Sequence, residues 1–110
     1  MVNTDKHLVK ELTLFIENDG TIYRQRVSPL IKNYSKKIDK NKFNKGMAVK
    51  GFKKVVKSGI TKYNKEFGNV GRVSEKEKNK VARNLMRGYG EEVCDLVKTK
   101  SKNKCLRKFK

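Results

Sequence analysis

Met47-Ala48-Val49-Lys50-Gly51-Phe52-Lys53-Lys54-Val55-Val56-Lys57-Ser58-Gly59-Ile60-Thr61-Lys62-Tyr63-Asn64-Lys65-Glu66-Phe67 is the stretch whose reading decides the fold class. Val49, Phe52, Val56, Ile60, Tyr63 and Phe67 recur at steps of three or four residues, the spacing of one face of an α-helix. The other side carries Lys50, Lys53, Lys54, Lys57 and Lys65, so the segment buries one stripe and presents a basic one. Gly51 and Gly59 each cost such a helix about 1 kcal/mol relative to alanine. Gly68, Asn69 and Gly71 supply its stop signal.

Downstream, Ser74 and Glu77 have the spacing of a capping box, which predicts a second long helix to about Val97. Its apolar face is Val81, Ala82, Leu85, Met86, Tyr89, Val93, Leu96 and Val97. Upstream, Leu8, Leu12, Phe15 and Ile16, then Tyr23, Val27, Leu30, Ile31, Tyr34 and Ile38, fit two helices. The break between them falls near Asn18-Asp19-Gly20 or at Ser28-Pro29, where a serine cap and a first-turn proline would suit a new start. Leu12 to Ile16 also alternates and Asp19-Gly20 is a hairpin turn signal, so an α+β fold with an N-terminal hairpin is the alternative. Helix is preferred, because a lone hairpin in a helical chain has no sheet to join. The expected fold is all-α, a small bundle of about four helices in residues 1–97. Residues 98–110, rich in like charge and with little to bury, are expected to be a flexible, disordered basic tail.

The 110 residues suffice for one domain with one core. Hydrophobic residues make up 35% and charged residues 36%, with 29 Lys+Arg against 11 Asp+Glu and a net charge of +18. Charge of that size opposes compaction unless a polyanion answers it. It is also segmental. Residues 1–22 are mildly acidic, 23–65 hold 14 basic residues against the single acid Asp39, 66–97 are balanced, and 98–110 carry seven basic residues and no acid. A basic middle and a basic end are expected of one contact surface and one arm.

Several classes are disfavoured. No apolar run is long enough to span a membrane, and the first residues lack the pattern of a secretory signal, so no membrane partner is expected. Cys94, Cys105 and His7 are too few for a four-ligand zinc site. Two free thiols are the default for a chain in the cytoplasm or within a nucleoprotein particle, with a disulfide as the other option. No Ser-His-Asp, Cys-His or phosphate-loop arrangement is present, so neither an enzyme nor a cofactor is expected. Glu17 and Asp19 can pair in a metal-dependent nuclease, but Asn-Asp-Gly is first a turn.

The block Glu11-Leu12-Thr13-Leu14-Phe15-Ile16-Glu17-Asn18-Asp19-Gly20-Thr21-Ile22-Tyr23-Arg24-Gln25, then Leu30-Ile31-Lys32-Asn33, then Ala48-Val49 to Lys62-Tyr63 and Glu66-Phe67, resembles a family of short uncharacterised proteins of tailed bacteriophages. Its most specific feature is IENDG-x-[LI]-YRQ, and the likeness extends to about Leu96. The resemblance implies a phage-like source and a helical fold, and no activity.

Within Tyr23-Arg24-Gln25-Arg26, two arginines and a glutamine offer donors for phosphate or a base edge, and Tyr23 can stack on a base. Equally, Tyr23 can pack in the core while Arg24 pairs with Glu17 or Asp19. Lysine exceeds arginine, which favours backbone contact over base reading. Solvated helix faces intersperse acids, and none lies between Lys40 and Lys65. The expected function is therefore non-catalytic binding of DNA or RNA through phosphates, alone or within a larger nucleoprotein assembly. Its surface would be Arg24, Arg26, Lys36, Lys37, Lys40, Lys50, Lys53, Lys54 and Lys57, with Lys98, Lys100, Lys102, Lys104, Arg107 and Lys108 as an added clamp. The alternative partner is a host protein with an acidic surface that the chain inhibits or redirects.

Overall fold

The computed structural model describes residues 6–68 and 71–110, and they are helical almost throughout. In chain order they form α1 (Lys6–Glu17), α2 (Gly20–Ile22), a π-helical turn (Tyr23–Val27), α3 (Ser28–Asp39), α4 (Lys45–Phe67), α5 (Glu75–Leu96), α6 (Lys102–Leu106) and a 3-10 turn (Arg107–Phe109). No strand occurs among the described residues, so the hairpin alternative gives way to helix. None of these helices is long and apolar enough to cross a membrane.

The first break falls at Asn18-Asp19, where the Asp19 carboxylate accepts from the Ile22 amide and caps α2. No break follows at Ser28-Pro29. The Ser28 N–H reaches back five residues to the Tyr23 carbonyl, which widens the backbone into a π turn just before Pro29. Proline has no N–H to give, and in a regular α-turn its ring would press on the carbonyl four residues back. The wider turn lets the chain run on into α3. At α5 the capping box forms in full: Ser74 Oγ accepts from the Glu77 amide at 3.1 Å, and Glu77 Oε1 accepts from the Ser74 amide at 3.0 Å.

α4 and α5 pack mainly on each other, and α1 and α3 close the core over them. Leu12, Ile16, Val27, Ile38, Phe52, Val56, Val81, Leu85, Met86 and Val93 are fully buried. The Phe52 and Tyr89 rings stack with centroids 6.1 Å apart, joining α4 to α5. Gly59 explains its own cost: a Cβ there would sit 2.4 Å from Ile16 Cγ1, so only glycine lets α1 lie this close to α4.

The segment 98–110 departs from the expected disordered tail. The Asp39 carboxylate accepts from the backbone amides of Lys98 and Thr99 and from the Thr99 hydroxyl. Ser101 then caps α6 through the Lys104 amide. Cys105 and Phe109 are buried, with Phe109 beside Phe43 and over Gly90. Cys94 and Cys105 form a disulfide, in place of the free thiols expected, because the end of α5 and α6 bring their Cα atoms to 5.6 Å. Too few apolar residues lie in this stretch to mark a period, yet two of them reach the core.

Candidate nucleic-acid interface

The π turn, α3 and the first half of α4 enclose an open groove of about 780 Å³. Gln25 and Arg26 come from the π turn, Leu30, Asn33 and Tyr34 from α3, Asn44 from the cap of α4, and Met47, Lys50, Gly51, Lys54 and Val55 from α4. Three cations line it and no carboxylate does. Lys50 and Lys54 are one helical turn apart on the same wall, and Arg26 contributes from the π turn. All three are exposed.

The base of the groove depends on a missing side chain. Tyr34 is buried and its hydroxyl donates to the Met47 carbonyl at 3.3 Å. A Cβ on Gly51 would lie 1.9 Å from that hydroxyl oxygen, so α3 can seat against α4 here only because residue 51 is glycine. Burial holds the Tyr34 hydroxyl above its ordinary pKa, so it stays a neutral donor. At the end of the groove, Asn44 Oδ1 accepts from the Met47 amide and fixes the start of α4.

The other basic residues expected at the surface divide into three groups. Arg24 is exposed on the π turn but outside the groove, and Lys57 is exposed a turn beyond its end. Lys36 and Lys40 are exposed, and Lys37 half-buried, at the end of α3. Lys53 is engaged with Glu75 at the start of α5, which holds that carboxyl below its ordinary pKa. The lysine stripe is thus two-sided, with Lys50 and Lys54 toward the groove and Lys53 tied to α5.

The C-terminal cations serve partly to hold the chain together. The Lys100 ammonium donates to the Ile38 carbonyl and to Asn41 Oδ1 at 2.6 Å. Lys102 lies 3.0 Å from both Glu91 and Asp95, with Asp95 the larger influence in raising its pKa. Lys98 is anchored through its backbone, while its side chain remains exposed. Lys104 and Lys108 line a shallow depression with Lys100, and Arg107 is exposed nearby.

Most of the acids are engaged away from the groove. Glu11 accepts from the Tyr63 hydroxyl, Glu92 from the Tyr23 hydroxyl, and Asp19 pairs with Lys62. Asp39, Glu75, Glu77, Glu91 and Asp95 are also bonded within the molecule, and none of these carboxylates lines the groove. Tyr23 leans toward the core reading: it is half-buried, packs at a tilt against Tyr89 and donates its hydroxyl proton to Glu92, away from the groove. Arg24 forms no ion pair among the described residues, since Asp19 is taken by Lys62.

Helical periodicity found Lys50 and Lys54, and the chemistry of the Tyr23-Arg24-Gln25-Arg26 block singled out Arg26 and Gln25, but the groove's apolar lining and its other amides were not anticipated. The available signal was Gly51, a residue that a helix tolerates at a cost and that marks close approach of a neighbour. Among the described residues no group of three or more His, Cys, Asp or Glu side chains gathers as a metal site. No protein-family model matches the chain, and no curated protein or solved structure matches it.

Proposed function

We propose that this is a non-catalytic nucleic-acid-binding protein that grips phosphates through the groove between α3 and α4. The observation carrying this reading is the groove lining itself, three exposed cations from two chain segments with no acid among them, in a chain of net charge +18. Lysine-rich contacts of this kind neutralise phosphates and release counterions, which gives affinity with little sequence preference. Lys36, Lys37, Lys40, Lys57, Lys104 and Lys108 extend the positive field beyond the groove. The likeness of residues 11–25 to phage proteins supports a phage-like source, and the same surface would serve inside a larger nucleoprotein particle.

The test is a salt titration. Neutralising about three to six phosphates should lower affinity by roughly 50- to 2,000-fold between 50 and 200 mM salt. Affinity that is flat across that range excludes phosphate contact.

A second reading rests on a different observation. Phe15, Tyr63 and Phe67 form an aromatic cluster with centroids 5.0–5.9 Å apart, and Phe67 is 65% exposed. An exposed aromatic cluster flanked by lysines suits a host protein with an acidic surface. Co-purification of one stoichiometric protein, lost on Phe67→Ala, would favour this reading over the first.

A further inference from the structure

We infer that the groove between α3 and α4 takes an unpaired stretch of nucleic acid, with phosphates on Lys50 and Lys54 and a base against the apolar floor. The inference rests on the phosphate-binding reading above and narrows its substrate class. Contact with a duplex backbone needs only cations on an open surface, and the outer face of α4 would suffice. The groove offers more. Its apolar floor is the part of the lining that Leu30, Met47 and Val55 supply beside Tyr34, and Met47 is 38% exposed.

A duplex keeps its bases within the stack and presents phosphate and sugar to such a surface, so it cannot cover that floor. An unpaired strand can turn a base inward, as sequence-tolerant single-strand binders do. Lys50 and Lys54 lie about 6 Å apart along the helix axis, and both project on the groove side, so consecutive phosphates can each find an ammonium. Arg26 adds a planar guanidinium, which can fork onto phosphate or stack on a base. Gln25 and Asn33 carry amide donors and acceptors at the rim that can meet the edges of an unpaired base. A volume of about 780 Å³ lies within the roughly 300–1,000 Å³ usual for ligand sites.

The experiment is fluorescence anisotropy at low salt with four labelled probes of equal length: an unpaired deoxy strand, an unpaired ribo strand, a duplex, and an abasic strand that keeps the phosphates. At least one base-bearing single strand should bind about tenfold or more tighter than both the duplex and the abasic strand, a gain that one base covering apolar surface can supply. Met47→Ser should bring that preference close to unity, with helical circular dichroism recorded alongside to show that the variant is folded. Equal binding of the abasic strand, tighter binding of the duplex, or a preference that survives Met47→Ser each overturns the inference and leaves phosphate contact standing. Failure of all four probes to bind overturns the phosphate reading as well.

Discussion

Lys62 on α4 lies 2.5 Å from one oxygen of Asp19, whose other oxygen accepts from the Ile22 amide at 2.9 Å. One carboxylate thus caps α2 and ties the turn after α1 to the longest helix. The Lys62 ammonium is the main cause holding the Asp19 carboxyl below its ordinary pKa of 3.8, with the Ile22 amide next.

This predicts an acid-sensitive contribution to stability. Because the folded-state pKa is lowered, the contribution is complete above the unfolded value and is lost as pH falls through the folded one. Asp19→Ala should cost about 0.5–2 kcal/mol near neutral pH through loss of the cap. Asp19→Asn, which still caps, should cost less. Thermal melts across pH test this: the gap between wild type and Asp19→Ala should close in acid, and a gap that persists undiminished at about pH 2 would contradict the assignment.

Charge and stability should separate on α4. Lys50→Glu with Lys54→Glu removes two groove cations that make no ion pair among the described residues, so the melting temperature should hold or rise as self-repulsion falls. Nucleic-acid affinity should drop sharply, with a shallower salt slope. Lys53→Gln should leave affinity nearly intact while Glu75 keeps only Lys78 as its partner. A double mutant that binds at wild-type strength would remove the groove from the interface.

Phe52→Ala should be severe. Phe52 is fully buried and stacked on Tyr89, so truncation should cost about 3–5 kcal/mol, a large part of a domain's typical 5–15. Chemical denaturation measures it, and a loss below about 1 kcal/mol would mean the site collapses around the gap.

Removing residues 98–110 should destabilise the protein rather than merely lower its charge. The deletion loses Phe109 from the core, the disulfide from Cys94 and the amides that Asp39 holds. Reduction by a dithiol alone should cost about 2–3 kcal/mol, given the eleven-residue spacing of the cysteines. Melts with and without reductant check the second figure, and an unchanged melting temperature in the truncated chain would restore the picture of a loose tail.

Gly59→Ala tests close packing against propensity. A surface helix would gain about 1 kcal/mol from this change. Here the new Cβ meets Ile16 at 2.4 Å, so the variant should lose about 1–3 kcal/mol, and pairing it with Ile16→Val should recover part of the loss. Net stabilisation by Gly59→Ala would show that α1 can shift freely.

The two long helices were legible because amphipathic periods of some twenty residues leave little choice, and Ser74 with Glu77 marked a start that the structure reproduces. The first third was legible as helix but not in its detail, since a π turn at Tyr23–Val27 answers a proline in a way that propensity does not encode. In the C-terminal segment, charge concealed the role of Cys105 and Phe109, whose burial depends on partners outside the segment, at Cys94, Gly90 and the distant Phe43. The site was half visible for the same reason. Lysines on one helix face can be counted, but the groove exists only where Tyr34 meets Gly51, a pairing between helices.

The contact of α4 with α5 also bears on how the chain reaches this state. These helices are neighbours in sequence, and their packing supplies the largest share of helix–helix contact, so little loop entropy stands between them and a nucleus. Phe52 on Tyr89 would form early, with α1 arriving later through Ile16 and Gly59. Amide exchange should then be slowest along the facing sides of α4 and α5 and faster in α1, which lies farther from them along the chain.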